Sequence, residues 1–188
     1  HRYATDAQWQ VPHFEKMLYD QALLLRAYLE TFQVTGNLFY ARVAEDILTY
    51  VLRDMQSPMG GFFSAEDADS VAPGADHASE GAFYIFSETE IVAMLGSKDA
   101  QVFNYCYGIK LNGNAFSDPH GEFTGMNILY QANTIEAAAE QFNLKLQEVE
   151  VLLVKAKDQL FTLRNKRQRP FLDDKVLPAT SNAVARGN

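Results

Sequence analysis

Apolar side chains recur at helical spacing through most of this chain, in consecutive runs separated by only a few residues. Phe14, Met17, Leu18, Ala22, Leu25, Tyr28, Leu29 and Phe32 form the first stripe, which predicts a helix from about Pro12 to Val34 with the proline in its first turn. Gly36 follows, the residue type that most easily takes the left-handed conformation closing a helix. A second stripe, Leu38, Phe39, Val43, Ala44, Ile47, Leu48, Val51, Leu52 and Met55, runs up to the breaker Ser57-Pro58-Met59-Gly60-Gly61. Two amphipathic helices with so short a join make an antiparallel hairpin, the unit of all-α repeat and toroid architectures.

Ser87 offers an N-cap with Glu90 three residues on, predicting a short helix through Ile91, Met94 and Leu95 to Gly96. Another helical turn set spans Asp99 to Tyr107. Gly108 to Gly125 reads as a long loop, and a further helical pair is predicted over Ala132 to Phe142 and Leu146 to Leu163. Phe62 to Pro73 and Gly81 to Phe86, rich in aromatic residues and turn formers, predict a small inserted β-hairpin. The expected class is therefore all-α. Residues 178–188 lack a sustained apolar period and read as a disordered tail beyond a domain of residues 1–177.

Composition narrows the functions. The 188 residues, 47% hydrophobic, suffice for one domain with a sizeable core. Sixteen basic against 24 acidic residues leave a charge of -8, and the basic residues cluster only at Arg164–Arg169, a helix end where cations suit the dipole. Nucleic acid is an unsuitable partner for such a surface. No apolar run approaches the ~20 residues of a membrane span, so a soluble protein is expected. Cys106 is the single cysteine; it excludes an internal disulfide, fits a reducing, cytoplasmic compartment and reads as a buried structural thiol. The chain opens at His1 within its richest polar motif, which suggests a fragment.

That motif joins Arg2, Tyr3, Thr5, Asp6 and Trp9 to His13, Glu15, Lys16, Tyr19 and Asp20. In the predicted first helix Glu15 would meet the positive end of the dipole and Lys16 would reach Asp20 at i,i+4. A second cluster, Glu66, Asp67 and Asp69, follows Gly60-Gly61. A calcium loop would need another oxygen ligand and a glycine after Asp69, where the chain has Ser70, Val71 and Ala72, so no metal site is predicted. Paired carboxylates also serve glycoside chemistry and sugar-hydroxyl recognition, making Asp67, Asp69 and Glu80 candidates. Glu80 stands just ahead of Phe83 and Tyr84, an aromatic pair suited to stacking on a sugar-like ring or equally to the core. Asp173 and Asp174 are adjacent, so only one can face a given cleft; either a site role or pairing with Arg167 or Arg169 fits. His120 and Glu122 fall close together in the turn from Asp118, and His77 lies in a polar loop.

His1-Arg2-Tyr3 with Thr5-Asp6, Val11 to Gln21, Gly60 to Ser70, Glu80 to Tyr84, Gly121-Glu122 with Asn127-Ile128-Leu129, and Arg169-Pro170 with Leu172 to Leu177 resemble the spermatogenesis-associated protein 20-like family in order and spacing. The resemblance implies an N-terminal thioredoxin-like domain, absent from this chain, followed by an (α/α)6 toroid related to N-acylglucosamine 2-epimerases and six-hairpin glycosidases. This chain would be the early part of that toroid. After Leu177 it departs from the family pattern, with Pro178-Ala179-Thr180 where a tryptophan and an asparagine-glycine pair would follow.

The family relation implies His13 as general acid-base, with Asp67 and Glu80 as catalytic acids. It implies Arg2, Tyr3, Glu15, Tyr19, Asp69, Tyr84, Asp173 and Asp174 as holders of a sugar-like substrate, with no cofactor. The alternative is a non-catalytic module that works with the thioredoxin-like domain, since fold does not fix function.

Overall fold

The computed structural model describes residues 2–115, 121 and 123–176, and the chain divides into two compact units. The first takes in Arg2, Phe14–Ala68 and the chain from Pro170; the second takes in Tyr3–His13 and Asp69–Arg169. The all-α expectation is overturned: alongside the helices the described residues form five short strands in two antiparallel sheets.

In the first unit α1 (Leu18–Thr35) and α2 (Leu38–Tyr50) form the expected hairpin. Gly36 takes φ 65° and donates its N–H to the Phe32 carbonyl, while the Asn37 side chain caps α2 by accepting from Phe39 N–H. The last turn of the hairpin widens to a π-helix at Val51–Met55, and Leu18, Val51, Met55 and Phe62 form the core beneath it.

The predicted helix start at Pro12 is wrong by about one and a half turns. Residues 12–17 are extended, with Pro12 bridged to Ala4 and Lys16–Met17 (β1) pairing with β2 (Phe63–Glu66), which pairs in turn with β5 (Leu172–Val176). From Phe14 to Leu18 buried and half-buried residues alternate, the period of a strand. Phe14 and Met17 thus fit a helical spacing while belonging to extended chain. Glu15 consequently misses the helix start, where Asp20 sits instead, and Lys16 pairs with Glu66 rather than Asp20.

The second unit packs α3 (Glu88–Leu95), α4 (Ser97–Tyr107), α5 (Ile135–Phe142) and α6 (Leu146–Arg164) around Ile91, Phe103, Ala138 and Val149. Ser87 and Glu90 form the reciprocal capping box read from the sequence. The hairpin is there but shifted: β3 (Asp69–Val71) pairs with β4 (Ala78–Glu80), whereas Gly81–Phe86 forms turns. Those turns offer carbonyls that no strand takes up, and Arg167 donates to Ala82, Phe83 and Ile85 while pairing with Glu90 at 2.9 Å. Arg167 is therefore an internal strut of this unit, beyond the helix-end role read from its cluster.

In the long loop after α4, Asn127 and Asn114 replace a strand ladder. Fully buried Asn127 donates to Phe86 and Lys110 carbonyls and accepts from Lys110 N–H. Asn114 does the same for Gly108 and Ile128. Asp118, His120, Glu122 and the tail 178–188 lie outside the described residues. Among those described, no helix is long and apolar enough to cross a membrane.

Candidate functional site

Within the second unit the chain from Tyr3 to His13 doubles back on itself. His13 N–H donates to Tyr3 carbonyl at 3.0 Å, Ala4 bridges Pro12, and Thr5 N–H donates to Val11 carbonyl at 2.8 Å. This leaves Asp6–Gln10 as the tip of a narrow tongue. Asp6 Oδ1 accepts from the N–H groups of Gln10 and Val11, both at 2.9 Å, and Gln10 Nε2 ties the tip to the Asn114 carbonyl at 2.8 Å. The base of the tongue holds the candidate site.

His13 Nδ1 lies 2.7 Å from Glu80 Oε1 on β4, and the Tyr3 ring stacks on the imidazole at 4.8 Å with 22° between planes. Against an ionised carboxylate, which only accepts, Nδ1 is the donor and Nε2 is left as the other ring nitrogen. The side chains are 20% and 23% exposed, close enough to solvent for a ligand to reach and shielded enough for the pair to hold its geometry. Two neighbours place Glu80. Asp69 pairs with it across the β3–β4 register, and Ser70 Oγ accepts from Phe83 N–H at 2.8 Å just beyond it. Tyr84 packs edge-on against Phe83 at 4.9 Å, with the Arg164 guanidinium 5.1 Å over its ring, so its ring serves the packing of this unit.

The first unit gathers the other half of the motif. Arg2 pairs with Glu15, donates to the Tyr19 hydroxyl at 3.1 Å and lies 3.6 Å from Asp20. Partial burial works against its charge, but Tyr19, Glu15 and Asp20 outweigh that and hold the guanidinium more firmly protonated. Asp20 is the member of this group that the sequence reading left out of the site, although its i,i+1 position beside Tyr19 was visible.

Lys16 and Glu66, both buried, meet at 3.3 Å, with Lys16 also donating to Phe14 carbonyl at 2.8 Å. Neither was read as a functional pair, because nothing in sequence links positions 50 residues apart except the acidic run that holds Glu66. Asp67 is exposed and belongs to this unit, its N–H bonded to Phe171 carbonyl. Asp173 and Asp174 lie on β5. The Asp173 partner is Lys175 at 3.5 Å, and Arg167 goes to Glu90 instead. Ser64 and the Lys175 N–H hold the Asp173 carboxyl below its usual range. Among the described residues no group of three or more His, Cys, Asp or Glu is placed to hold a metal ion. Burial pushes the Cys106 thiol up, away from the thiolate a nucleophile needs.

These features define a mixed helical and strand segment with a carboxylate-oriented histidine at the foot of a tongue. No protein-family model matches the chain. Its whole length aligns at 41% identity with spermatogenesis-associated protein 20 of Homo sapiens and at 40% with that of Mus musculus, covering 25% of each. An uncharacterized protein of Caenorhabditis elegans is 33% identical over the whole chain and 27% of its own length. The chain belongs by homology to the spermatogenesis-associated protein 20 family, and it spans about a quarter of the length of these relatives.

Proposed function

We propose that this segment contributes a carbohydrate-acting, epimerase-like site in which His13 moves a proton. The supporting observation is the 2.7 Å contact between His13 Nδ1 and Glu80 Oε1. A carboxylate behind one ring nitrogen fixes the tautomer and orientation of the other and stabilises the imidazolium formed when a proton is taken. His13 Nε2 would take a proton from a C–H beside a substrate carbonyl. The electron pair left behind would move toward the carbonyl oxygen, and return of a proton to the carbon would complete the exchange. Tyr3 backs the imidazole. In the second unit Asp69 and Tyr84 are proposed to help hold a polar, sugar-like substrate, whereas Arg2, Glu15, Tyr19, Asp67, Asp173 and Asp174 belong to the first unit and stay separate candidates, Asp67 as an acid. A single buried thiol suits a reducing, cytoplasmic setting.

The test uses the full-length protein in deuterated water with a panel of monosaccharides and N-acyl sugars. Deuterium entering one sugar at a single carbon, and failing to enter with His13→Ala, supports the reading. Equal exchange by wild type and His13→Ala overturns it.

A second reading rests on a different observation. Leu23, Val34 and Phe39 of the α1–α2 hairpin are 66%, 87% and 59% exposed, an apolar surface that suits a non-catalytic module contacting a thioredoxin-like domain of the full-length protein. Absence of any sugar exchange, together with weakened domain association on Leu23→Asp and Phe39→Asp, favours that reading.

A further inference from the structure

Trp9 stands at the tip of the tongue with φ 59° and 79% of its surface exposed. Among the described residues only Asn143 is also a non-glycine with positive φ. Asn143 has an ordinary cause, since it closes α5 in the left-handed position that asparagine tolerates. A tryptophan there is a true outlier, disfavoured by its own side chain. Among the described residues no packing rewards it, because the indole is turned out to solvent rather than buried. The same tip shields two acceptors, Asp6 Oδ2 and Gln10 Oε1, that receive no hydrogen bond among the described residues. Cost collected at one turn, spent on presenting an aromatic ring, marks a binding element rather than a folding one.

The position of the tip says what it binds. Four residues of the tongue separate Trp9 from His13, a separation of up to roughly 13 Å at strand rise, which two linked sugar rings can bridge. We infer that Trp9 is a stacking platform for a second sugar ring, so that the ligand of the His13–Glu80 site is a disaccharide or longer glycan rather than a free monosaccharide. The flat C–H face of a pyranose is apolar and its rim is polar, a match for an exposed indole. This inference rests on the carbohydrate reading above and narrows its substrate class.

Calorimetry on the full-length protein tests it, comparing N-acetylglucosamine with chitobiose and glucose with cellobiose. Wild type should bind one disaccharide more tightly than its monosaccharide, and Trp9→Ala should lower that affinity ratio about tenfold, the scale of one aromatic contact. Trp9→Phe should keep most of the ratio. Trp9→Gly should lose it while the melting temperature holds or rises, because glycine accepts the positive φ without strain. An unchanged ratio in Trp9→Ala overturns the inference, as does a parallel loss for both sugars with a fall in melting temperature. Loss of a co-purifying protein with the ratio unchanged assigns the ring to a protein contact and also overturns it. If wild type exchanges deuterium into a monosaccharide but the ratio ignores Trp9, only this inference fails. If no sugar is bound at all, the carbohydrate reading fails with it.

Discussion

Two of the pairs that join a cation-forming side chain to a glutamate far away in sequence differ in where they sit. Lys16 and Glu66 have side chains 10% and 2% exposed; His13 and Glu80 have side chains 20% and 23% exposed. As side-chain types, lysine ordinarily titrates well above neutral pH and histidine is the one that changes charge near it. Burial gives the lysine pair no ligand to meet, and its geometry pins β1 to β2, the strands that carry both residues. The histidine pair is open enough to exchange a proton and is flanked by an aromatic ring and a solvent-facing tongue. One pair specifies structure and the other is the proposed proton carrier, and removing a partner from each should break different things.

The largest effect is expected at the histidine. In the full-length protein His13→Ala should lower sugar proton exchange by roughly 10²- to 10⁴-fold, the usual worth of general acid-base catalysis, with the melting temperature nearly unchanged. Exchange at wild-type rate would place the chemistry elsewhere. At the other pair, Glu66→Gln takes the Glu66 charge away from the buried Lys16 ammonium, and breaking such a pair costs about 3–5 kcal/mol. Urea unfolding should register that loss. Replacing both, Lys16→Met with Glu66→Leu, should recover most of it, because the desolvation of two charges is removed along with their attraction. If the double variant is as weak as the single one, the pair contributes more than mutual neutralisation.

The same contrast explains what could be read from sequence. Gly36, the Ser87–Glu90 capping box and the α5–α6 pair were legible because each is a local device whose partners lie within a few residues. The strands were not. β1 is two residues long and β5 five, and β2 bonds to partners at Lys16 and Leu172, far off on both sides of the sequence, so no alternating run announces them. Phe14 through Met17 then read as helix because the apolar positions there fit both periods. His13 and Glu80 were each named as candidates, yet their contact was not foreseeable, since it depends on where β4 falls and the hairpin was placed a few residues late. Arg167 was hidden for a similar reason: its acceptors are turn carbonyls, which carry no side-chain signature.

Smaller effects follow from the local devices. Ser87→Ala removes an acceptor for the Glu90 N–H at the start of α3, and should lower stability by about 1 kcal/mol. That loss should appear in the unfolding midpoint with no change in sugar exchange. A drop in exchange larger than the drop in folded fraction would mean that the capping box also positions the site.

The smallest effect concerns Asp173 and acid. Ser64, the Lys175 N–H and the Lys175 charge favour its ionised form, holding its folded carboxyl below the ordinary value of 3.8. A depressed folded value means that the unfolded chain takes up the proton first as pH falls. The stabilisation is therefore complete above about pH 3.8 and disappears as pH drops through the lower folded value. Because this strand is exposed and screened by solvent, the contribution is slight. Asp173→Asn should leave the unfolding midpoint at pH 7 a little lower and flatten its acid dependence, so that the wild-type and variant curves converge toward pH 2. If the two curves instead run parallel from neutral pH to acid, the hydrogen bonds of Asp173 do not depend on its charge, and β5 is held to β2 by its backbone ladder alone.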